Sequence, residues 1–300
     1  MNHSHPSQPS SSGLGFQLKA FYDEATATIT YLVWDPHTSD AIVIDSVLDY
    51  DPASSKVSTK QLDLLDSEIR QLRLRPILTL ETHAHADHLS AAHELKKRWP
   101  GLKTVVSRRI TEVQSIFKKI YNLPQSFIPD GSQFDQLVDD GDQLKAGSLV
   151  IDIIATPGHT PACLTLKIQD AIFTGDALFM PDTGTGRCDF PAGSSKDLYN
   201  SIHKKLYALP DSTRVFVGHD YKAGGTRPAQ WETTLGEEKL KNIQLRAETT
   251  ESQYTTMRDS RDATLSAPRL LLPSLQVNID AGKLPDPESN GTRYLKIPIR

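Results

Sequence analysis

Residues 81–94 read ETHAHADHLSAAHE and contain four histidines, one aspartate and two glutamates. They follow the apolar run PILTL, which is typical of a buried strand. A side-chain period of two along that strand places His83 and His85 on one side of the chain at the strand's carboxyl end. Asp87 and His88 follow where the chain changes direction, so their side chains can turn toward the same cleft. The stretch predicts a metal site, although Asp87 could instead cap a helix and His88 could lie on the surface.

Three other predicted strands end in a residue of a metal-binding type. ATPGHT supplies His159, FTGDA supplies Asp176 and FVGHDY supplies His219, and a glycine precedes each of them. Glycine lets the backbone turn sharply and leaves room for a metal or a substrate. One buried histidine at a strand end is more often a core residue, but four such sites at sheet ends favour a metal centre. Three further histidines are not assigned to it: His37, His93 and His203.

The predicted elements follow the order strands, helix, strands, helix, and this order occurs twice. Residues 58–74 place apolar side chains at helical spacing behind Ser58 as the N-cap, and Asp87 is expected to open the next helix. This order predicts an α/β protein, an αββα sandwich with two sheets face to face and helices outside. We expect a disordered tail at 1–14, the sandwich domain at 15–225, and a C-terminal extension at 226–300 that packs on the core and contains one helix near 236–249.

The composition excludes several classes of partner. The chain has 300 residues, 38% of them hydrophobic, and a net charge of -4, so nucleic acid or an anionic membrane is not expected as the main partner. No apolar run approaches the roughly 20 residues of a membrane span. Two cysteines and the absence of a secretion signal favour the cytoplasm. A small molecule is therefore the expected partner.

The motifs HxHxDH, GHT, GDALF and GHDY resemble those of the metallo-β-lactamase superfamily over residues 15–225. Within it, GDALFMPDTGTGRCDF at 175–190 is similar to the corresponding loop of the persulfide dioxygenases. The segments at 31–52 and 272–285 also look like that branch, in its bacterial form without a fused rhodanese domain. The resemblance implies oxidation of glutathione persulfide by oxygen to glutathione and sulfite. It also implies one Fe(II) per chain, held by His83, His159 and Asp176.

The resemblance also implies a supporting role for four other residues of the motifs. They are expected to form hydrogen bonds with the metal ligands: His85, Asp87, His88 and His219. Spacing alone favours a different site, in which two zinc ions bridged by Asp176 hydrolyse a thioester or lactone, as in glyoxalase II. A regulator that senses sulfane sulfur, or a vestigial site, is a third alternative. The dioxygenase is preferred because the GRCDF loop distinguishes the branches, whereas the ligand set does not.

Four residues outside the ligand set are further candidates. Arg187 and Asp189 of GRCDF are expected to form a buried ion pair or to brace the loop near the iron, the alternative being a simple turn pair. Arg187 and Tyr221 are the catalytic candidates, and Tyr221 could direct its hydroxyl at the substrate or instead be a core tyrosine. Because a glutathionyl substrate carries two carboxylates, Arg227 is expected to bind it. A homo-oligomer, a dimer or a tetramer, is also expected.

Overall fold

Runs rich in β-branched and apolar residues form strands in the first half of the chain and again from residue 143. The structure is a computed structural model that describes residues 15–299, so the tail predicted at 1–14 lies outside the described residues. The strands are β1 Gln17–Asp23, β2 Thr28–Trp34, β3 Asp40–Ile44, β4 Val47–Asp51, β5 Lys56–Ser58, β6 Arg75–Leu80, β7 Leu89–Ser90, β8 Lys103–Ser107, β9 Gln136–Val138, β10 Gln143–Ala146, β11 Leu149–Ala155, β12 Leu164–Ile168, β13 Ala171–Phe173, β14 Arg214–Phe216 and β15 Glu232–Thr234.

These strands form two six-stranded sheets. One has the order β1-β2-β3-β6-β8-β9, the other has the order β10-β11-β12-β13-β14-β15, and a small third sheet contains β5-β4-β7. β3, β6, β8 and β9 run parallel, as do β13 and β14. Since β15 pairs with β14, the residues beyond the boundary predicted at 225 add a strand to the second sheet.

Helices cover the outer faces of both sheets. They are α1 Lys60–Gln71, α2 Ala92–Arg98, α3 Ile110–Ile120, α4 Ser195–Asn200 continued by a π-helical segment Ser201–Leu206, α5 Lys222–Gly225, α6 Leu235–Lys241, α7 Glu251–Asp262 and α8 Leu271–Asn278. Among the described residues, no helix combines the length and the apolar character that crossing a membrane requires.

The main core lies between the two sheets. Tyr31 of β2 meets two rings of the opposite sheet, with centroid distances of 5.1 Å to Phe173 and 5.7 Å to Phe216. Its buried hydroxyl donates to the carbonyl of Val217 at 2.6 Å, which satisfies the one polar atom of this aromatic cluster. Two further apolar clusters lie under the outer helices. The predicted αββα sandwich of the α/β class is confirmed.

Two helix starts and the C-terminal helices differ from the prediction. Ser58 is not an N-cap, because it belongs to β5 and α1 begins at Lys60 without a side-chain cap. Asp87 does not cap a helix either, since the chain first forms β7, which pairs with β4, and α2 begins at Ala92. The extension contains α7 and α8 in addition to α6, and polar α7 lacks the apolar spacing that would have indicated it.

Candidate metal centre

The candidate ligands lie in loops that follow four strands. His83 follows β6, His159 follows β11, Asp176 follows β13 and His219 follows β14. Where strands of one sandwich end together, their loops share one edge, and ligands usually gather there. The structure therefore brings residues separated by up to 136 positions in the sequence into one cluster.

Two of the glycines that precede ligands are required by close packing. Gly175 has φ +49°, and a Cβ there would lie 2.5 Å from the hydroxyl oxygen of Thr82. Gly158 has φ +147°, and its Cβ would lie 2.4 Å from backbone atoms of Leu198. Both positions combine a left-handed backbone with no room for a side chain, which only glycine tolerates without strain.

His83, His159 and Asp176 form one donor set. One donor atom of each lies within 4.8 Å of the others, and all three side chains are buried. Asp176 Oδ2 is 3.6 Å from His159 Nε2 and 4.0 Å from His83 Nε2. Two histidines and one carboxylate on one face of an ion form the facial triad typical of non-haem Fe(II) oxygenases.

A second donor set lies beside the first. It contains the following residues, with donor atoms that also lie within 4.8 Å of one another: His85, Asp87, His88 and His219. Asp87 Oδ2 is 3.4 Å from His219 Nε2, and Asp176 Oδ1 is 3.3 Å from that same nitrogen. Asp176 therefore lies between the two sets, one oxygen toward each. The assignment of a single metal stays a prediction, since the geometry holds ligands for two.

His85 is held from behind by two buried carboxylates. Its Nε2 lies 3.0 Å from Asp45 Oδ1 and 3.4 Å from Glu81 Oε2. Asp45 also accepts hydrogen bonds from the backbone N–H and the hydroxyl of Thr82, both at 2.7 Å. Because Asp45 follows β3 directly, this contact fixes the loop that carries His83 and His85 to the centre of the first sheet.

Several buried polar atoms of these residues have no hydrogen-bond partner within residues 15–299. They are His83 Nε2, His85 Nδ1, His88 Nε2, Asp176 Oδ1 and both ring nitrogens of His219. An unpaired buried polar group costs about 1 to 3 kcal/mol, so a folded protein rarely leaves several together. Imidazole nitrogens and a carboxylate converging on one space are metal ligands by type. The residues present therefore fit a metal.

Burial and neighbouring charges set the protonation of the histidines. Burial lowers the pKa of His83 well below its ordinary value, and His85 and His159 add to the effect. Burial also disfavours charge on His85, but Asp45 and Glu81 outweigh it and hold the pKa of His85 well above its ordinary value. His83 is thus neutral with a free lone pair, as a metal ligand must be.

The GRCDF loop contacts a candidate ligand directly. The backbone oxygen of Arg187 accepts from His159 Nδ1 at 2.6 Å, which leaves His159 Nε2 to face the cluster. The Arg187 side chain is paired with Asp189 at 2.5 Å and also donates to the carbonyl of Ser266 at 2.8 Å. The pair is not buried as expected, because Asp189 is exposed. The loop is therefore braced on both sides, by its own ion pair and by the C-terminal extension.

A cavity of about 430 Å³ opens onto the donor sets. Its walls include Tyr221, whose ring is half exposed and stacks parallel to His219 at a centroid distance of 5.9 Å. Phe179 meets Tyr221 edge-on at 5.9 Å. The volume lies within the range of about 300 to 1,000 Å³ that small-molecule sites occupy.

Arg227 does not line this cavity. Its guanidinium makes paired hydrogen bonds to Asp182 at 2.7 Å and to Asp220 at 2.7 and 2.9 Å. Asp220 is fully buried, so Arg227 neutralises a buried carboxylate and braces the chain beyond His219. The expected contact between Arg227 and a substrate in this cavity is therefore not supported, because the guanidinium is occupied by two carboxylates outside the lining.

Sequence reasoning missed three contributors: Asp45, Glu81 and Asn278. Asp45 ends a strand in the same way as the assigned ligands, so its position was a usable signal. Asn278 of α8 donates to the carbonyls of His85 and His88 at 2.8 Å each and accepts from the N–H of Ser90 at 2.7 Å. Nothing in the local sequence indicates that contact, because 188 residues or more separate the partners.

Known proteins are similar to this chain over most of its length. The family model described as Metallo-beta-lactamase superfamily matches residues 25–219. A probable metallo-hydrolase of Burkholderia pseudomallei is 48% identical over 94% of this chain and 98% of its own, and glyoxylase B2 of Dictyostelium discoideum is 45% identical over 94% and 97%. The mitochondrial persulfide dioxygenase ETHE1 of Homo sapiens is 32% identical over 76% and 78%. The crystal structure of ETHE1 from Myxococcus xanthus superimposes with a TM-score of 0.70 at 29% identity, covering 89% of this chain and 99% of that one.

Proposed function

The chain belongs to the metallo-β-lactamase superfamily, and from that premise we propose that it is a persulfide dioxygenase with one Fe(II) per chain. His83, His159 and Asp176 would hold the iron. The reaction takes glutathione persulfide, oxygen and water and gives glutathione, sulfite and two protons. The outer sulfur loses four electrons and oxygen gains four. Iron, when bound, supplies the redox chemistry that a reaction with oxygen needs and that zinc lacks.

One observation carries the proposal: the GRCDF loop that resembles the dioxygenase branch is bonded to His159 itself. Its carbonyl fixes the tautomer and orientation of that ring, so the loop acts on the metal centre rather than on a remote surface. Relatives named persulfide dioxygenase share 31 to 32% of the residues over 76% of the chain, which supports the same assignment.

The residues around the set have separate tasks. Thr82 donates to Asp45 and lies 3.0 Å from His83 Nδ1, so its oxygen can accept the proton of His83 and keep Nε2 free. Arg187 positions His159 through its backbone oxygen and holds the loop with its side chain. Tyr221, half exposed beside His219, is the residue we assign to contact the substrate.

A two-metal zinc hydrolase of a thioester or lactone is the second candidate. The observation that favours it is the second donor set, together with the position of Asp176 between the sets. Relatives named as a metallo-hydrolase and a glyoxylase, at 48% and 45% identity, support it as well.

Metal analysis and oxygen uptake separate the two candidates. We expect about one iron per chain and consumption of oxygen with glutathione persulfide, with one sulfite formed per oxygen. The dioxygenase assignment would be contradicted by two zinc ions per chain, together with hydrolysis of a glutathione thioester and no oxygen uptake in an iron-loaded sample.

A further inference from the structure

The C-terminal extension forms one wall of the cavity above the metal centre. The extension residues that line it come from the end of α7 and the segment before α8: Arg258, Arg261, Leu265, Pro268 and Arg269, with Gln244 beside them. A neighbouring cavity of about 290 Å³ shares His159, Arg187, Leu265 and Pro268 with the first, so the segment at 265–268 lies where the two cavities meet.

This wall is fixed to the body of the protein. Arg258 and Asp262 form a buried pair one helical turn apart at 2.5 Å, and Asp262 accepts from the backbone N–H of Cys188 at 2.7 Å. Arg187 holds the following segment through the carbonyl of Ser266. Side chains that project from α7 and from the segment after it therefore have a defined position over the cavity.

The charges of the wall are unequally compensated. Arg187 is paired with Asp189, and Arg258 with Asp262. Arg261 and Arg269 are exposed and, within residues 15–299, have no carboxylate within 4.0 Å. The acidic residues that line this cavity are those of the donor sets, Asp87 and Asp176. Arg269 also interacts electrostatically with the exposed carboxylate of Asp51, at a separation beyond ion-pair range. In a chain of net charge -4, two guanidinium groups at one cavity that form no ion pair within the described residues mark a site for two anionic groups.

We propose that Arg261 and Arg269 bind the two carboxylates of a glutathionyl substrate. The C-terminal extension would then select glutathione as the carrier of the reactive sulfur, while the metal centre acts on that sulfur. This inference rests on the proposed function for the identity of the carrier. Arg261 and Arg269 would then bind the substrate carboxylates, the role that the sequence had suggested for Arg227. Guanidinium groups suit it because each can grip a carboxylate with two parallel hydrogen bonds.

The test measures binding of S-methylglutathione, which carries both carboxylates but no reactive sulfur, by calorimetry at neutral pH. Arg261→Ala and Arg269→Ala should each raise the Kd about fivefold, and the double variant about 25-fold, as expected for charged contacts at partly open sites. Arg246→Ala is the matched control, since Arg246 is an exposed arginine of the same extension that does not line the cavity. It should leave the Kd unchanged.

A second ligand identifies which arginine meets which carboxylate. The glycine amide of S-methylglutathione lacks one carboxylate, and it should bind the wild-type protein about fivefold more weakly. In the variant that lacks the matching arginine this difference should vanish, while it persists in the other variant. Equal Kd values for all variants, an equal penalty for the amide in both single variants, or no binding to the wild-type protein would each overturn the proposal. Because neither iron nor oxygen enters the measurement, failure of the dioxygenase assay alone would leave this result standing.

Discussion

His159 has one ring nitrogen committed to the protein and one facing the metal centre. Its Nδ1 is bonded to the carbonyl of Arg187, and its Nε2 lies 3.6 Å from Asp176. His219 differs, because its Nε2 lies 3.3 and 3.4 Å from two carboxylates, those of Asp176 and Asp87. Substitution of each histidine therefore distinguishes a one-metal site from a two-metal site.

We predict that His159→Ala loses its iron and its oxygen uptake, whereas His219→Ala keeps most of its iron because it lies outside the predicted triad. Elemental analysis of the purified variants gives the result directly. His203→Ala serves as the control, since His203 stacks on Tyr199 of α4, away from the cluster. Equal metal loss in the His159 and His219 variants would indicate a binuclear centre.

Glu238 is a buried carboxyl outside both donor sets. It is fully buried on α6, where Oε2 accepts from Asn242 at 2.7 Å and Oε1 has no partner within the described residues. Burial raises the pKa of Glu238 to about 8. Between its ordinary value and pH 8 the unfolded chain holds fewer protons than the folded one, so stability falls as pH rises through this window.

We predict that Glu238→Gln removes this dependence. In the wild type, the buried carboxyl should lower the free energy of unfolding by about 1.4 kcal/mol for each pH unit between about pH 4.5 and pH 8. The variant should lack this contribution. Urea denaturation at several pH values measures it. Glu237→Gln is the matched control, because Glu237 is exposed on the same helix and paired with Lys241. A pH profile unchanged by Glu238→Gln would show that the carboxyl ionises normally in the folded state.

At the scale of elements, α8 supports the loop that carries the candidate ligands. Asn278 bonds three backbone groups of residues 85–90, and the side chain of Ser90 in turn donates to Glu81 at 2.7 Å. Glu81 is one of the two carboxylates that hold His85. A helix of the extension thus fixes the geometry of a loop almost 200 residues earlier.

We predict that Asn278→Ala destabilises the fold by roughly 3 kcal/mol, because three buried backbone groups lose their partner. Iron affinity should fall about tenfold or more, as it does when groups that orient ligands are removed. Competition with an iron chelator measures the affinity. Gln276→Ala on the same helix is the control, since Gln276 bonds Leu272 and Lys296 instead, and it should affect stability alone. Unchanged iron affinity in Asn278→Ala would contradict a role in the centre.

At the scale of the whole molecule, the extension shares its core with the sandwich. Leu275 of α8 is fully buried in a cluster with Ile110, Val113 and Phe117 of α3. Tyr254 of α7 is likewise buried, as part of the main core cluster that contains residues of both sheets, and bonds Thr185 at 2.8 Å. Apolar contact of this kind couples the two parts of the chain in one unfolding transition.

We predict that Leu275→Ala lowers the free energy of unfolding by about 2 to 5 kcal/mol, the cost of a cavity in a packed core. Unfolding in urea, followed by tryptophan fluorescence and by circular dichroism, should give one coincident transition in both proteins. Leu240→Ala, at a side chain that is 70% exposed, should change stability by less than about 0.5 kcal/mol. Two separate transitions would mean that the extension unfolds as an independent domain.

The sequence alone determined the sandwich and the candidate ligands. The helical period of 3.6 is a local property, so the helix expected at 58–74 could be predicted within a few residues of α1. The ligand types at strand ends were equally local, and their motifs identified the superfamily. The helix start expected at Asp87 was wrong because pairing of β7 with β4, between residues 41 and 43 positions apart, overrides the capping preference there.

Only the tertiary structure decided what surrounds the ligands. Several of these contacts join distant segments or select one partner among several. They are the contacts of Asp45 and Glu81 with His85, the hydrogen bonds of Asn278, and the pairing of Arg227 with Asp220. The placement of Arg261 and Arg269 at the cavity is of the same kind. A residue's type and spacing predict which element it joins, but a charged side chain binds whichever opposite charge the folded chain brings within a few ångströms. That proximity is set by the packing of the whole molecule.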